Sequence, residues 1–347
     1  MEDRLKKFSL SKDAIQQKNI EANINPQNNY LELRVNSYAD FDYIISIINQ
    51  NKWTSAPIYY RGVSNRDYDL KCSLCVNGLE LYESIIVNQL YSNAPDKFSK
   101  CKSNFEMITL MQHYGLPTRF LDFTKNPLVA LWFSCEQNQE TDGAVYLTFG
   151  FNSVNSTMMN LISDMIVSGN SLSLSLEDRI SKSELIEYIL RFHSYPHSMF
   201  FVDAPIIDQR ESNQQSIFAV GINKLKVLYP DDYIDGEYVT DDKCDDILNN
   251  IEKYSYEIDE GVIECYGEGD IQFILKIIIP SEIKNQMLDE LAWRGINESF
   301  IYPTLENSAK NVKNEALRKI CKLKERHEFL KKYAQVRLDE CIKEDNE

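Results

Sequence analysis

The stretch that most constrains the fold of this chain is HYGLPTRFLDFT at residues 113–124. Its Gly-Leu-Pro predicts a sharp turn, because glycine tolerates a positive φ and proline fixes its own φ. Arg119 and Asp122 follow the turn and lead into the apolar segment 127–135. Unpaired charges beside apolar residues are costly. These two side chains must therefore pair with each other, pair with another segment or bind a ligand.

The composition predicts a globular protein with its own core. Of the 347 residues, 43% are hydrophobic, which argues against global disorder. The formal net charge of −16 disfavours broad nucleic-acid binding but leaves room for a local basic pocket. Residues 1–12 are polar and charged, and no apolar run approaches the roughly 20 residues that span a bilayer. We therefore expect a cytoplasmic protein that makes no contact with a membrane.

The cysteines and histidines do not follow a metal-binding pattern in the sequence. Eight cysteines without a secretory signal predict reduced thiols. Cys72 and Cys75 form a close pair, but no second pair stands at the spacing of a zinc site. His193 and His197 have helical spacing, yet Pro196 separates them and no HExxH glutamate accompanies them. The sequence predicts no metal site.

The pattern of apolar residues predicts an α+β fold, with a modest mixed sheet flanked by helices. Runs of β-branched and aromatic residues predict strands, and apolar residues at helical spacing predict helices. We expect strands at 58–63, 144–149, within 200–220 and at 271–279, and helices at 36–51, 80–113 and 128–137. The chain has no GxGxxG motif, Walker loop or GxSxG elbow, so Rossmann, P-loop and esterase folds have no support.

The other segments predict additions to this fold. Residues 1–30 are polar and predict an N-terminal arm, and residues 151–200 predict a helical segment. A dense acidic stretch near 231–262 predicts a surface insertion. Residues 308–347 are rich in lysine and glutamate and predict a long charged C-terminal helix, suited to a partner or to self-association. The main domain would then cover residues 31–307.

Four segments give the chain its resemblance to a known family. They are YYRGVSN at 59–65, QHYGLPTRFLDFT at 112–124, RESNQQSIF at 210–218 and GINESFIYPTLE at 295–306. These segments resemble, in the same order, the motifs of the FRG domain family, with Tyr60 where Phe is usual and Ser216 where Gly is usual. FRG domains are widespread in bacteria and phages. The resemblance therefore implies a bacterial protein with a role in phage defence or as a toxin.

A more distant resemblance concerns catalysis. The Tyr-Arg-Gly of the first segment resembles the first motif of Arg-Ser-Glu-type ADP-ribosyltransferases. It implies an enzyme that uses NAD as a substrate, binds no permanent cofactor and modifies a protein or nucleic-acid acceptor. Arg61 would hold the phosphates, because a planar guanidinium matches phosphate bidentately, and Gly62 would permit close approach. The resemblance implies catalytic roles for Thr124, Glu211 and Gln214, as a hydroxyl for ribose, a carboxylate base and an orienting amide.

The second of these segments, QHYGLPTRFLDFT at 112–124, is the central motif, and it supplies the remaining candidate ligand-binding residues. These are His113, Thr118, Arg119 and Asp122. A threonine hydroxyl suits a ribose, and a histidine suits loop orientation or general acid–base chemistry. An enzyme of this kind predicts that Arg61, a hydroxyl from the central motif and Gln214 line one concave pocket.

A structural role for the same residues is the alternative. Arg61, Arg119 and Asp122 would then form an ion network that holds three segments together. Thr118 and Thr124 would cap the flanking helices, and Gln214 would satisfy backbone groups at a sheet edge. The chain would in that case be a non-catalytic module that senses a ligand or phage component and acts through a partner.

Overall fold

The computed structural model describes two units of the chain, Met1–Arg294 and Gly295–Glu347. Side chains and backbone are described for residues 1–52, 54–151, 153–168, 199–220, 273–304 and 307. The backbone alone is described for residues 171–172, 225–228, 237–238 and 255–258. No helix within these residues is long and apolar enough to cross a bilayer.

The described strands form two sheets. The strands are β1 (Glu21–Ile24), β2 (Leu31–Arg34), β3 (Ile58–Val63), β4 (Phe120–Thr124), β5 (Gly143–Phe149), β6 (Ser171–Leu172), β7 (Phe200–Asp203), β8 (Ser216–Val220), β9 (Leu225–Leu228), β10 (Glu237–Tyr238), β11 (Ser255–Ile258) and β12 (Ile274–Ile279). Eight of the described strands form a sheet in the order β1-β2-β12-β5-β3-β4-β8-β7. It is mixed, because β12 runs parallel to β2 and antiparallel to β5. A smaller sheet has the order β10-β9-β11-β6.

Helices precede, separate and follow these strands along the chain. The helices are α1 (Glu2–Lys7), α2 (Lys12–Gln17), α3 (Tyr38–Asn51), α4 (Ser73–Val76), α5 (Glu83–Asn93), α6 (Pro95–Phe98), α7 (Asn104–His113), α8 (Pro127–Cys135), α9 (Ser156–Val167), α10 (Gln209–Gln214), α11 (Lys284–Trp293) and α12 (Glu298–Ile301), with 3₁₀ turns at Glu80–Tyr82 and Ser281–Ile283. The predicted α+β class with a mixed sheet is confirmed.

Helix α8 is held against the sheet by its sequence and by two glycines. Asn126 caps it, accepting from the Leu128 amide at 3.0 Å. A Cβ atom at Gly62 would stand 1.8 Å from the carbonyl oxygen of Ala130, and one at Gly143 would stand 2.1 Å from a helix carbonyl as well. Only glycine at these positions lets the helix backbone approach strands β3 and β5 so closely.

Strand alternation divides the core between the two faces of the sheet. Phe120 and Phe218 pack with helices α5, α7 and α9 on one face. Leu121 and Phe123 belong to the cluster on the other face. Because side chains alternate along a strand, Asp122 lies on the same face as Phe120. The central motif therefore directs its aspartate toward the face that carries α7.

Several predicted segments differ from the structure or lie outside it. The expected polar arm at 1–30 forms α1, α2 and β1, with Leu5 and Phe8 buried. The helical prediction for 151–200 coincides with α9 at Ser156–Val167, and its later part lies outside the described residues. Most of the acidic stretch and the charged C-terminal helix also lie outside them. The domain boundaries stay a prediction.

Candidate functional site

The candidate site lies where the pairing of the large sheet is interrupted. In the described ladder, β3 and β4 share one residue pair, Tyr60 with Thr124, whereas β4 pairs with β8 along its whole length. Nη1 of Arg61 reaches across the interruption and donates to the backbone oxygen of Asp122 at 2.6 Å. An arginine side chain thus supplies a bond between the two strands.

A cavity of about 300 Å³ opens beside this interruption. Strands β3, β4 and β8 and helices α7, α8 and α10 contribute to its wall. Aromatic rings of Tyr60, Phe133 and Phe218 supply apolar lining. Seven of the nine residues singled out from the sequence line it: Arg61, Gly62, His113, Asp122, Thr124, Glu211 and Gln214.

The carboxylate of Asp122 faces this cavity and is held from one side. Nε2 of Gln112 donates to its Oδ1 at 2.8 Å. Desolvation by the surrounding protein raises the pKa of Asp122, while the guanidinium groups of Arg61 and Arg210 act in the opposite direction. The side chain is still open to solvent in the cavity, which limits this shift. Two cations and an anion therefore share one concave space.

Asp208 and Glu211 form a capping box at the start of α10. Oδ1 of Asp208 accepts from the Arg210 amide at 2.6 Å, and Oε2 of Glu211 accepts from the Asp208 amide at 3.0 Å. The second oxygen of each carboxylate faces His113. Its Nδ1 lies 3.4 Å from Oε1 of Glu211, and its Nε2 lies 3.7 Å from Oδ2 of Asp208.

The two carboxylates of this capping box have different proton affinities. Burial raises the pKa of Glu211, and a hydrogen bond between the carboxyl groups of Glu211 and Asp208 adds to the effect, whereas the Asp208 amide acts in the opposite direction. The bond between the two carboxyl groups lowers the pKa of Asp208, with help from backbone amides and His113. Glu211 is therefore the carboxyl of the pair that keeps a proton to higher pH, as a general acid or base requires.

Thr118 and Arg119, which we expected at a ligand, lie outside the cavity. Arg119 is buried and forms an ion pair with Glu83, in which Nε lies 3.0 Å from both carboxylate oxygens. Thr118 is also buried, and its hydroxyl donates to Oε1 of Gln112, the residue that holds Asp122. Both side chains are buried and bond to other residues of the protein, so in this structure they hold the central motif in place and do not line the cavity.

Two further candidates line the cavity but have their groups engaged in the fold. The hydroxyl of Thr124 donates to the backbone oxygen of Gln214 at 2.5 Å and accepts from the Asn126 amide at 3.0 Å. Gly62 permits a close approach as expected, but the backbone that approaches it belongs to Ala130 of α8 and not to a ligand. Thr124 and Gly62 therefore contribute to packing and to the joining of strands, and their expected roles at a ligand stay a prediction.

Comparison with known proteins agrees with the motifs. A family model of the FRG domain matches residues 56–143. The chain contains an FRG domain. The match includes β3, the central motif and α8, whereas α10 and β8 follow it in the chain. Neither the curated proteins nor the solved structures contain a match to this chain.

The cavity is also lined by two residues that were not among the candidates, Gln112 and Arg210. Arg210 precedes Gln214 by four positions, and residues at this spacing share one face of a helix. That spacing would have predicted that Arg210 faces the cavity with Gln214. Gln112 opens the central motif and could be recognised only by its contact with Asp122.

Potential metal-binding groups come together at the cavity in a way that sequence spacing did not indicate. His113, Asp208 and Glu211 each offer a potential ligand atom, and these atoms lie within 4.8 Å of one another. The sulfur atoms of Cys72 and Cys75 are 3.2 Å apart. His193 and His197 lie outside the described residues. About 95 residues separate His113 from its two acidic neighbours in the sequence, so no local motif contains all three.

Proposed function

We propose that the cavity of the FRG domain binds NAD and that the chain is an ADP-ribosyltransferase-like enzyme. The observation that carries this proposal is that Arg61 and Arg210 share a concave space with the carboxylate of Asp122. Guanidinium groups bind phosphates bidentately, as a pyrophosphate requires. The aromatic rings of the wall offer flat surfaces for a base or a nicotinamide ring.

The reaction follows from these groups. The bond between C1′ of the ribose and the nicotinamide nitrogen breaks, and its electron pair leaves with nicotinamide. Positive charge develops on the ribose, where a carboxylate such as Asp122 stabilises it. A nucleophile of a protein or nucleic-acid acceptor then bonds to C1′, and its proton passes to Glu211, whose raised pKa suits a base. Gln214 orients the ribose or the acceptor, and Thr124 positions Gln214. Phage defence or toxicity is the setting that the FRG resemblance implies for this activity.

A second candidate is a module that binds a nucleotide without turnover. Two of the three residues assigned to catalysis have structural bonds: Glu211 closes the capping box and Thr124 bonds to backbone atoms. This favours a rigid site that binds the nucleotide, with a partner protein responding to the bound form. The two candidates share the ligand and differ in whether nicotinamide is released.

Incubation with labelled NAD and with protein and nucleic-acid acceptors separates the candidates. The wild type is compared with Arg61→Ala and Gln214→Ala. Arg4→Ala is the matched control, because Arg4 also donates Nη1 to a backbone oxygen, that of Asn29, at 2.7 Å. We expect nicotinamide release or label transfer to be lost with Arg61→Ala and kept with Arg4→Ala.

Calorimetry with NAD and ADP-ribose completes this experiment. Binding that depends on Arg61, without release of nicotinamide under any condition, would establish the sensing module and reject the enzyme. Neither binding nor turnover would reject both candidates.

A further inference from the structure

We propose that His113, Asp208 and Glu211 form a binding site for one divalent transition-metal ion at the edge of the cavity. The three residues come from the end of α7 and the start of α10, and each offers a ligand atom within 4.8 Å of the others. A metal ion bound at about 2.0–2.2 Å accommodates ligand atoms up to about 4.4 Å apart. Because Nδ1 of His113 faces Glu211 and Nε2 faces Asp208, the side chains must rotate so that one imidazole nitrogen and both carboxylates reach a common ion.

The capping box prepares the two carboxylates for this role. One oxygen of each is held by a backbone amide, Oδ1 of Asp208 by Arg210 and Oε2 of Glu211 by Asp208. The other oxygens, Oδ2 and Oε1, face the imidazole of His113. Hydrogen bonds to carboxylate ligands fix their orientation in protein metal sites. The amides thus perform a supporting function that such sites require.

The ligand atoms select the class of ion. One imidazole nitrogen with two carboxylate oxygens suits manganese, iron, cobalt or zinc, whereas magnesium and calcium prefer oxygen alone. The side chains of His113 and Asp208 are 28% and 46% exposed, so an ion can enter and keep water ligands. The carboxylates of Asp208 and Glu211 attract a cation, whereas the guanidinium groups of Arg61 and Arg210, which also line the cavity, oppose it. Because His113 and Glu211 also line the cavity, the ion would lie next to the nucleotide of the proposed function, and it would compete with the proton that Glu211 accepts in that reaction.

The test measures metal binding directly and needs no nucleotide. The full chain, freed of metal by a chelator, is titrated with Mn²⁺ and the free ion is followed by electron paramagnetic resonance. Mn²⁺ is the primary probe because Zn²⁺ also binds thiols such as those of Cys72 and Cys75. We expect one tightly bound ion per chain and weaker binding of Mg²⁺.

Substitutions that keep the helix cap make the result specific. Asn remains a good N-cap and Gln still closes a capping box, so Asp208→Asn and Glu211→Gln remove charge with little loss of the fold. With either variant, or with His113→Ala, we expect Mn²⁺ affinity to fall about tenfold or more. Glu106→Gln is the matched control, because Glu106 caps α7 with Ser103 and lies outside the proposed site.

Either of two results would overturn the proposal. One is the absence of Mn²⁺ binding to the wild type at millimolar concentration. The other is equal binding by the wild type and the three variants, which would place the ion elsewhere. Thermal unfolding of each variant establishes that it is folded. Since NAD is absent throughout, the outcome is independent of the proposed nucleotide chemistry.

Discussion

Arg119 and Asp122 illustrate what a single residue position decides in this chain. Asp122 lies within β4, whereas Arg119 lies in the bend that precedes this strand. Arg119 pairs with Glu83 inside the protein, and Asp122 lines the cavity, so the two do not pair with each other. The sequence could not have predicted Glu83 as the partner, because it lies 36 positions away from Arg119.

The buried ion pair gives a prediction for stability. The side chains of Arg119 and Glu83 are 3% and 2% exposed. Glu83→Gln leaves the arginine charge buried beside a neutral group, so we expect the free energy of unfolding to fall by about 3–5 kcal/mol. Urea denaturation provides the measurement. Glu290→Gln, in the exposed pair with Arg294, is the control and should cost less than about 1 kcal/mol. Equal losses of unfolding free energy in the two variants would contradict a buried ion pair between Arg119 and Glu83.

The cavity carboxylate gives a prediction for pH dependence. The pKa of Asp122 is raised above its ordinary value of 3.8 in the folded protein, chiefly by desolvation. The folded state therefore holds this proton more tightly than the unfolded state, and the ionised form weakens the fold. Relative to Asp122→Asn, we expect the wild type to be most stable below pH 3.8 and to lose that advantage as the pH rises through the raised pKa.

Asp142 is an internal control of opposite sign. Burial acts to raise its pKa, but hydrogen bonds from Arg34 and the Ser281 amide lower it overall. Relative to Asp142→Asn, the wild type should be more stable at neutral pH and should lose that advantage as the pH falls through the lowered pKa. Denaturant titrations between pH 3 and 8 measure both slopes. If the stability differences for Asp122 and Asp142 changed with pH in the same direction, the environments assigned to the two carboxyl groups would be wrong.

The positions of several strands and helices could be predicted from local sequence patterns, but the order in which the strands pair could not. Strand β3 lies where β-branched and aromatic residues predicted it, and α3 lies within the helix expected at 36–51, with Ser37 as its cap. Strands β1 and β2 were not expected, because each has only four residues and their segment reads as polar. The order of strands depends on contacts between distant segments, which periodicity does not encode. The cavity depends on that order, since β3, β4 and β8 meet only in the sheet.

The approach of α8 to β3 gives a prediction for the packing of a helix against a strand. Gly62→Ala would place a methyl group 1.8 Å from the carbonyl oxygen of Ala130, so the helix must move away from the strand. Overpacking of this kind costs about 3 kcal/mol or more. We expect a large fall in the melting temperature or a failure to fold. Gly78→Ala is the control, because open space surrounds it and its positive φ alone costs about 1–2 kcal/mol.

The C-terminal residues give a prediction for how the whole chain associates with itself or with a partner. Removal of residues 308–347 should abolish self-association or partner binding, because their charged, helix-forming sequence is suited to such contacts. Cavity ligands should bind the shortened chain as before, since the cavity residues lie between 60 and 218. Light scattering after size exclusion measures the mass. An unchanged oligomeric state and unchanged partner binding would count against this role.

The interrupted pairing between β3 and β4 has a mechanical consequence. In the described sheet, five strands stand on one side of it and three on the other. In the described ladder, the part β1-β2-β12-β5-β3 is joined to the part β4-β8-β7 by one residue pair and by the bond from Arg61 to Asp122. In the proposed function, the guanidinium that joins the two parts of the sheet would also bind the phosphates of the ligand. A ligand that draws Arg61 away from the backbone oxygen of Asp122 would then change the angle between the two parts of the sheet.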